Sequence, residues 1–331
     1  MAETKRPTNA AAEEILGGYF PVLDHGFVGL VDYMGTDEDI ERAARVSYGY
    51  GTRKVSQTRG LIRYLRRHMH TTPSEMVELK FHVCMPIFVA RQWIRHRTAN
   101  VNEYSGRYSL MPLLFYTPEG GQFSLQSDDN KQGRLGEGAD AGLYREAVRR
   151  WEEGRARAGA DYEWLVGEEV ARELARIDLP LSTYTQWYWK IDLHNLIHFL
   201  TLRADPHAQY EIRVFAEVMA GMLKRVAPLS FEAWIDYGLA ASRVSRSELE
   251  ALSRLVLVEG EGDDDISIVA RTDVALDGAA MAELGLSKRE IAELADKLQP
   301  RPVPDFDLDL AAMLSAEEMS RKMQGAVPKL G

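Results

Sequence analysis

Arg91 to Tyr108 reads RQWIRHRTANVNEYSGRY: four arginines, a histidine, a glutamate, two asparagines and a serine in eighteen positions, directly after an apolar run. The chain as a whole carries a formal net charge of −10, so this density of positive charge marks a local anion site rather than a diffuse basic surface. Arg91, Arg95, Arg97 and Arg107 present planar forks that stay charged at physiological pH and suit bidentate contact with phosphate or carboxylate. Asn100, Asn102 and Ser105 add neutral donors and acceptors, and Glu103 can accept from a ribose hydroxyl or a heterocycle N–H. A phosphorylated sugar carrying a base fits this inventory. A solvated helix face with i,i+4 partners is the alternative, but one acid cannot neutralise four arginines.

The run that feeds this segment, Val77 to Ala90, reads as a strand up to Pro86 and a helix beyond it, since proline is tolerated in a helix's first turn. That places the arginines at a helix end and in the loop after it. Further upstream, VLDHGFVGLVDY (Val22 to Tyr33) has the β-branched and aromatic content of a strand. The following GTDEDIERAARVSY turns helical, with Thr36 as N-cap. Ser56 to His68 predicts another helix with Leu61, Ile62 and Leu65 on one face.

Downstream, Thr117 to Gly142 is rich in Gly, Ser, Asp and Asn and reads as a long loop. Ala141 to Ile177 predicts a long helix, and the aromatic-rich stretch after Pro180, YTQWYWKIDLHNLIHFLTLRADPHAQYEIR, predicts two helices. Phe215 to Tyr237 completes one unit, giving a mobile lead at 1–18, a main domain at 19–240 and an acidic extension at 241–331. In the extension, Ser247 with Glu250 and Ser287 with Glu290 have capping-box spacing, while RPVPDFDLDL looks extended. The extension reads as a helical module or a subunit-packing arm. Its acidity argues against nucleic acid.

With 331 residues, 45% hydrophobic and 27% charged, the composition is that of a globular protein. No apolar stretch approaches the ~18 residues of a membrane helix, and the acidic N-terminus is unlike a signal peptide. A cytoplasmic location is expected. Cys84 is the only cysteine and lies in an apolar run, as a small core residue does, so thiolate chemistry is not expected. His194 and His198 have the i,i+4 spacing that can chelate a metal, but HNLIH lacks the glutamate of HExxH. No metal is expected. A metal-dependent phosphohydrolase using His194, His198 and Asp205, or a noncatalytic nucleotide-binding protein, are the competing readings.

Arg95, His96 and Arg97, followed by seven residues and Ser105, resemble the signature of flavin-dependent thymidylate synthases. The flanks Met85 to Trp93 and Asn102 to Tyr108 match as well, as do His70 to Glu75 (HxTPxE) and Leu202 to Gln209 (LRADPHAQ). The resemblance implies an α+β fold, a mixed sheet flanked by helices with the helical appendix behind it, assembled as a homotetramer with sites shared between subunits. It implies reductive methylation of dUMP to dTMP, with methylenetetrahydrofolate as carbon donor, NADPH as reductant and FAD as hydride carrier.

By this resemblance Thr72, Arg95, His96, Arg97, Glu103, Asp192, His194 and His198 touch FAD, with Ser47, His70, Glu75 and Asn102 alongside. Gln92, Arg95, Ser105, Gly106, Arg107, Arg176 and Arg203 hold the nucleotide, and Glu103 lies between the two ligands. Arg203 is the catalytic residue, placed at the uracil ring, where a guanidinium favours the anionic ring amide and makes the carbon to be methylated more nucleophilic. Ser105 reads as a ligand, since no base is placed to activate it. The family commonly has Ser at Asn100 and Asn at Asp192 and His198. An aspartate at 192 would be repelled by flavin phosphates.

Overall fold

The computed structural model describes residues 6–47, 58–127, 133–260, 265–324 and 327–328. The predicted Ser56 start of the second helix and the middle of the 117–142 loop lie outside them. The first elements are α1 (Ala10–Glu13), β1 (Tyr19–Val22), β2 (Gly26–Met34), α2 (Asp37–Val46), α3 (Thr58–Arg67), a 3-10 turn at Thr72–Met76, β3 (Glu78–Pro86), α4 (Ile87–Trp93) and β4 (Asn100–Glu103). A small hairpin, β5 (Ser124–Gln126) and β6 (Arg134–Gly138), precedes α5 (Ala141–Gly167) and α6 (Arg172–Ala175). Then come β7 (Tyr184–Asp192), α7 (Leu193–Arg203), α8 (Tyr210–Val226) and α9 (Pro228–Trp234).

Five strands form one sheet in the order β1-β2-β3-β7-β4, every named pairing antiparallel. The fold is α+β, as the motifs imply. Thr36 caps α2 in a full capping box with Asp39, which fixes where the first crossover leaves the sheet. Pro86 stands at the N-cap of α4, turning β3 directly into the helix that carries Gln92.

One expectation fails in an instructive way. The stretch after Pro180 is not two helices: Tyr184–Asp192 is a central strand, pairing β3 from Glu78↔Asp192 to Pro86↔Tyr184. The reason is a period of two. Trp187, Trp189 and Ile191 are buried while Tyr188 on the opposite face is exposed, and aromatic, half-buried alternation is what a pleated surface accepts. The helices follow, as α7 and α8. The long helix is also shorter than predicted: α5 stops at Gly167, and Glu169 takes a left-handed φ of 58°, which breaks the helix before α6.

The core forms where the sheet meets α4, α7 and α8. Trp93 of α4 lies edge-on to Trp187 and Trp189, at ring separations of 5.8 and 5.3 Å, and stacks on Phe199 of α7 at 4.8 Å. Phe215 of α8 closes the cluster at 6.0 Å. Edge-to-face and offset pairs of this kind contribute about 0.5–1.5 kcal/mol each beyond area burial. They fix the position of the loop that begins at Ile94. Cys84 is fully buried and burial raises its thiol pKa, so it is a core residue, as expected.

The chain divides into two compact units, residues 1–234 with 305–331, and residues 235–304, and not at 18 and 240. Inside the supposed lead, Ala12 and Ile15 are fully buried. In the supposed extension, Leu314 exchanges backbone hydrogen bonds of 2.9 and 2.8 Å with Tyr19, covering the free edge of β1. Helix α13 (Ala316–Gln324) follows, and its Met319 joins a buried cluster with Phe27, Cys84, Tyr116 and Tyr184. The physical reason is that the far face of a five-stranded sheet needs apolar cover, and the last residues supply it.

The second unit holds α10 (Arg246–Ser253), a hairpin of β8 (Val256–Glu259) and β9 (Ser267–Ala270), α11 (Gly278–Glu283) and α12 (Lys288–Lys297). Its first capping box is Ser245 with Glu248, two residues earlier than the predicted Ser247 with Glu250, and Ser287 with Glu290 forms the second as predicted.

Candidate nucleotide and flavin site

The arginine-rich segment sits on a helix end, a turn and an edge strand. Gln92 ends α4, Arg95, His96 and Arg97 lie in the loop beyond it, and Asn102 and Glu103 lie on β4, opposite Tyr188 and Trp187 of β7. Ser105, Gly106 and Arg107 occupy the next turn, where the amides of Tyr108 and Ser109 both donate to the Ser105 carbonyl. The segment thus runs along β4, with one group of side chains at each end.

At the far end of β4, Gly106 is required by space. A Cβ there would come within 2.6 Å of Met111 Sδ and 3.1 Å of the Arg176 side chain, so glycine lets the Arg176 guanidinium lie against the turn. Arg107 Nε donates to Glu173 Oε2 at 2.8 Å, and Glu173 and Arg176 flank Ala175 in and after α6. Ser105 Oγ accepts from the Arg107 amide at 3.3 Å. Ser105, Gly106, Arg107 and Arg176 therefore meet, as the motif implies.

At the near end, Arg203 Nε donates to His96 Nε2 at 3.1 Å, and the His96 ring lies 5.9 Å from His198 and 4.9 Å from Phe199. Burial first, then the Arg203 guanidinium and His198, push the His96 pKa down to about 4. A neutral ring is what lets Nε2 accept from Arg203. Burial also lowers the Arg203 pKa. The α7 helix that carries these residues packs on the turn holding Thr72 and Glu75. The register explains why: Glu78 opposes Asp192, so the start of β3 and the start of α7 lie at one end of the sheet.

Not every expected residue is free to bind. Asp192 caps α7, accepting the Asn195 amide at 2.9 Å and the Asn195 side chain at 2.7 Å. That internal partner satisfies a carboxylate that flavin phosphates would repel. Glu75 accepts from Thr71 Oγ1 at 3.3 Å, Glu103 from Thr185 Oγ1 at 2.8 Å, and Ser47 stands exposed after α2. Arg203 is not gathered with Arg107 and Arg176: it belongs to the His96 end of β4. Glu173, which sequence reasoning missed, contacts the site directly; its position three residues before Arg176 was the available signal.

The residues suit a flavin and a nucleotide. His194 Nδ1 and Gln92 Oε1 are buried without a hydrogen-bond partner, an arrangement that costs about 1–3 kcal/mol per group unless a ligand supplies the partner. Among the described residues, no three His, Cys, Asp or Glu side chains are grouped to hold a metal ion. Asp205 accepts from His207 at 2.9 Å. No helix among the described residues is long and apolar enough to cross a membrane.

An α+β scaffold that gathers arginines near two buried polar atoms without hydrogen-bond partners suits a protein that handles a phosphorylated nucleotide. Comparison with known proteins gives the class its name. The family model described as thymidylate synthase complementing protein matches residues 29–229. A flavin-dependent thymidylate synthase of Wolbachia pipientis wMel is 52% identical over 268 residues, covering 81% of this chain and 94% of its own. That of Gluconobacter oxydans is 50% identical over 295 residues, covering 88% and 91%. Among solved structures, a UMP/dUMP methylase from Streptomyces cacaoi bound with 5-Br dUMP superposes with a TM-score of 0.60 at 34% identity, covering 66% of this chain and 97% of that one. The chain belongs to the flavin-dependent thymidylate synthase family.

Proposed function

We propose that this chain converts dUMP to dTMP in the cytoplasm as a homotetramer, with methylenetetrahydrofolate giving the carbon and NADPH the reducing electrons. The observation that carries the reading is the unmet hydrogen-bonding capacity at Gln92, three residues before Arg95, and at His194, one turn before His198 on α7. Bound FAD supplies the hydride chemistry, so no thiol nucleophile is needed, which agrees with the deep burial of Cys84.

The protein's part is positioning and charge. Arg107 and Arg176, held together over Gly106, supply two of the charge-assisted contacts a phosphate dianion needs on leaving water. Glu173 occupies Arg107 with an ion pair whose partners are more than half exposed, and an exposed pair of this type is worth only about 0–1 kcal/mol. A phosphate can displace it. Arg203 meets the uracil ring and stabilises negative charge there, while neutral His96 holds the guanidinium in place through its Nε2. Thr72, Arg95, Arg97, Asn102, His194 and His198 face the flavin, with Ser47, His70 and Glu75 near it; Gln92 and Ser105 bind the nucleotide, and Glu103 stands between the ligands. Asp192 serves the flavin side by setting the start of α7.

The two groups lie at opposite ends of a four-residue strand. At ~3.3 Å per residue that strand spans roughly 10 Å, a length that one nucleotide bridges with its phosphate at Arg107 and Arg176 and its base toward Arg203. Purified protein should be yellow and its absorbance should bleach on anaerobic addition of NADPH. Colourless protein that takes up no FAD would refute the reading.

A further inference from the structure

Arg107 stands in the turn after β4 and Arg176 just past α6, so chain connectivity alone does not set the distance between them. Nor does the Arg107 ion pair with Glu173, whose partners are more than half exposed and which is weak for that reason. What joins the two places is a small buried cluster of Met111, Tyr162 and Ala175, with Leu165 and Val166 of α5 packed against it. Ala175 immediately precedes Arg176. The sulfur of Met111 fills the space that a Cβ on Gly106 would need.

Tyr162 holds this cluster by a polar bond as well as by packing. It lies late in α5 with 2% of its surface exposed, and its hydroxyl oxygen accepts from the Met111 amide at 2.9 Å. The loop that ends at Met111 is tied at two further points, where the Tyr104 hydroxyl donates to the Leu110 carbonyl and the Arg172 guanidinium to the Tyr108 carbonyl. Those two bonds are half-buried and exposed, so water can replace them. The Met111 bond is buried, and an amide left there without an acceptor carries the full cost of having left water.

The same tyrosine is coupled to Arg176 along the chain. After α5 the amides of Glu169 and Val170 donate to the Val166 and Leu165 carbonyls at 3.1 and 3.0 Å, with Glu169 in the left-handed region at φ 58°. This is the paired bonding that closes a helix C-terminus tightly. It leaves little slack between Tyr162 and α6.

We propose that Tyr162 is a positioning residue for the nucleotide phosphate. It does not touch the substrate: through Met111 it seats the Ser105–Arg107 turn, and through the reversal into α6 it seats Arg176, so that both guanidiniums meet one phosphate. The inference rests on the thymidylate synthase reading, under which that phosphate belongs to dUMP.

The test is Tyr162→Phe in the full-length holoenzyme, a change that keeps the ring in the cluster and removes the acceptor. KM and the calorimetric Kd for dUMP should both rise roughly 10-fold, while kcat at saturating dUMP stays within about twofold of the parent, as when binding common to ground and transition states is lost. Flavin absorbance per subunit should not change, and the salt dependence of dUMP binding should flatten, because the phosphate contacts are the ones loosened. Gly106→Ala displaces Met111 from the other side, so the double variant should bind dUMP within about twofold of Gly106→Ala alone. A lower thermal midpoint with the dUMP constants unmoved, a fall in kcat with KM fixed, or losses of the two substitutions that multiply would overturn the role. Should Tyr162→Phe not fold, Tyr104→Phe loosens the same loop from its other end and carries the same expectation for dUMP, with unmoved constants again overturning it. A parent that binds dUMP and makes no dTMP would sink the enzyme reading instead, and the dissociation constants would still decide for or against Tyr162.

Discussion

His96 shows how one residue ties the candidate site to stability. Its pKa of about 4 lies below the ~6.5 of an unfolded histidine, so between those values the unfolded chain binds the proton and the folded chain does not. Stability from this residue is complete above pH ~6.5 and is lost as pH falls toward 4. The thermal midpoint of the parent should therefore drop over that window more steeply than that of His96→Asn; equal slopes would mean that the ring is not held neutral by its surroundings. The residue types at this site were legible as arginines in excess of acids. What could not be read was pairing: that Asp192 would cap α7, because the stretch before it reads as helix, or that Glu173 would sit on Arg107, because that contact follows from the turns after β4 and α5.

Among the elements, those with a strong local cause were readable. Pro86 marks the change from β3 to α4, and Thr36 marks the start of α2. The strand β7 was not, since its apolar density matches a buried helix equally well and only its alternation, fixed by pairing with β3, decides. Nor was the return of the last segment. Met319 is 3% exposed in a helix that looks like a polar appendage in one dimension. Met319→Ala should cost about 2–5 kcal/mol, read as a lower denaturation midpoint of the whole first unit. A midpoint that does not move would remove α13 from the core.

On the scale of the molecule, a few rigid pieces place the chemistry. The aromatic cluster around Trp93 anchors the start of the arginine loop, and β4, paired with β7, holds its two halves at opposite ends of one strand. The motif residues and their chemistry were visible in the chain, because arginine, glycine and proline act through local geometry and charge; that Asn100–Glu103 between them forms an edge strand was not, because it depends on pairing with β7. The central claim is that guanidiniums from separated parts of the chain activate one nucleotide beside a flavin. Anaerobic release of tritium from dUMP labelled at the carbon to be methylated tests it most directly. The parent should release tritium only with NADPH and methylenetetrahydrofolate present, and Arg203→Ala, with its flavin retained, should be slower by ~100-fold to 1,000-fold. Release by Arg203→Ala at the parent rate, or none from the parent, would contradict the account.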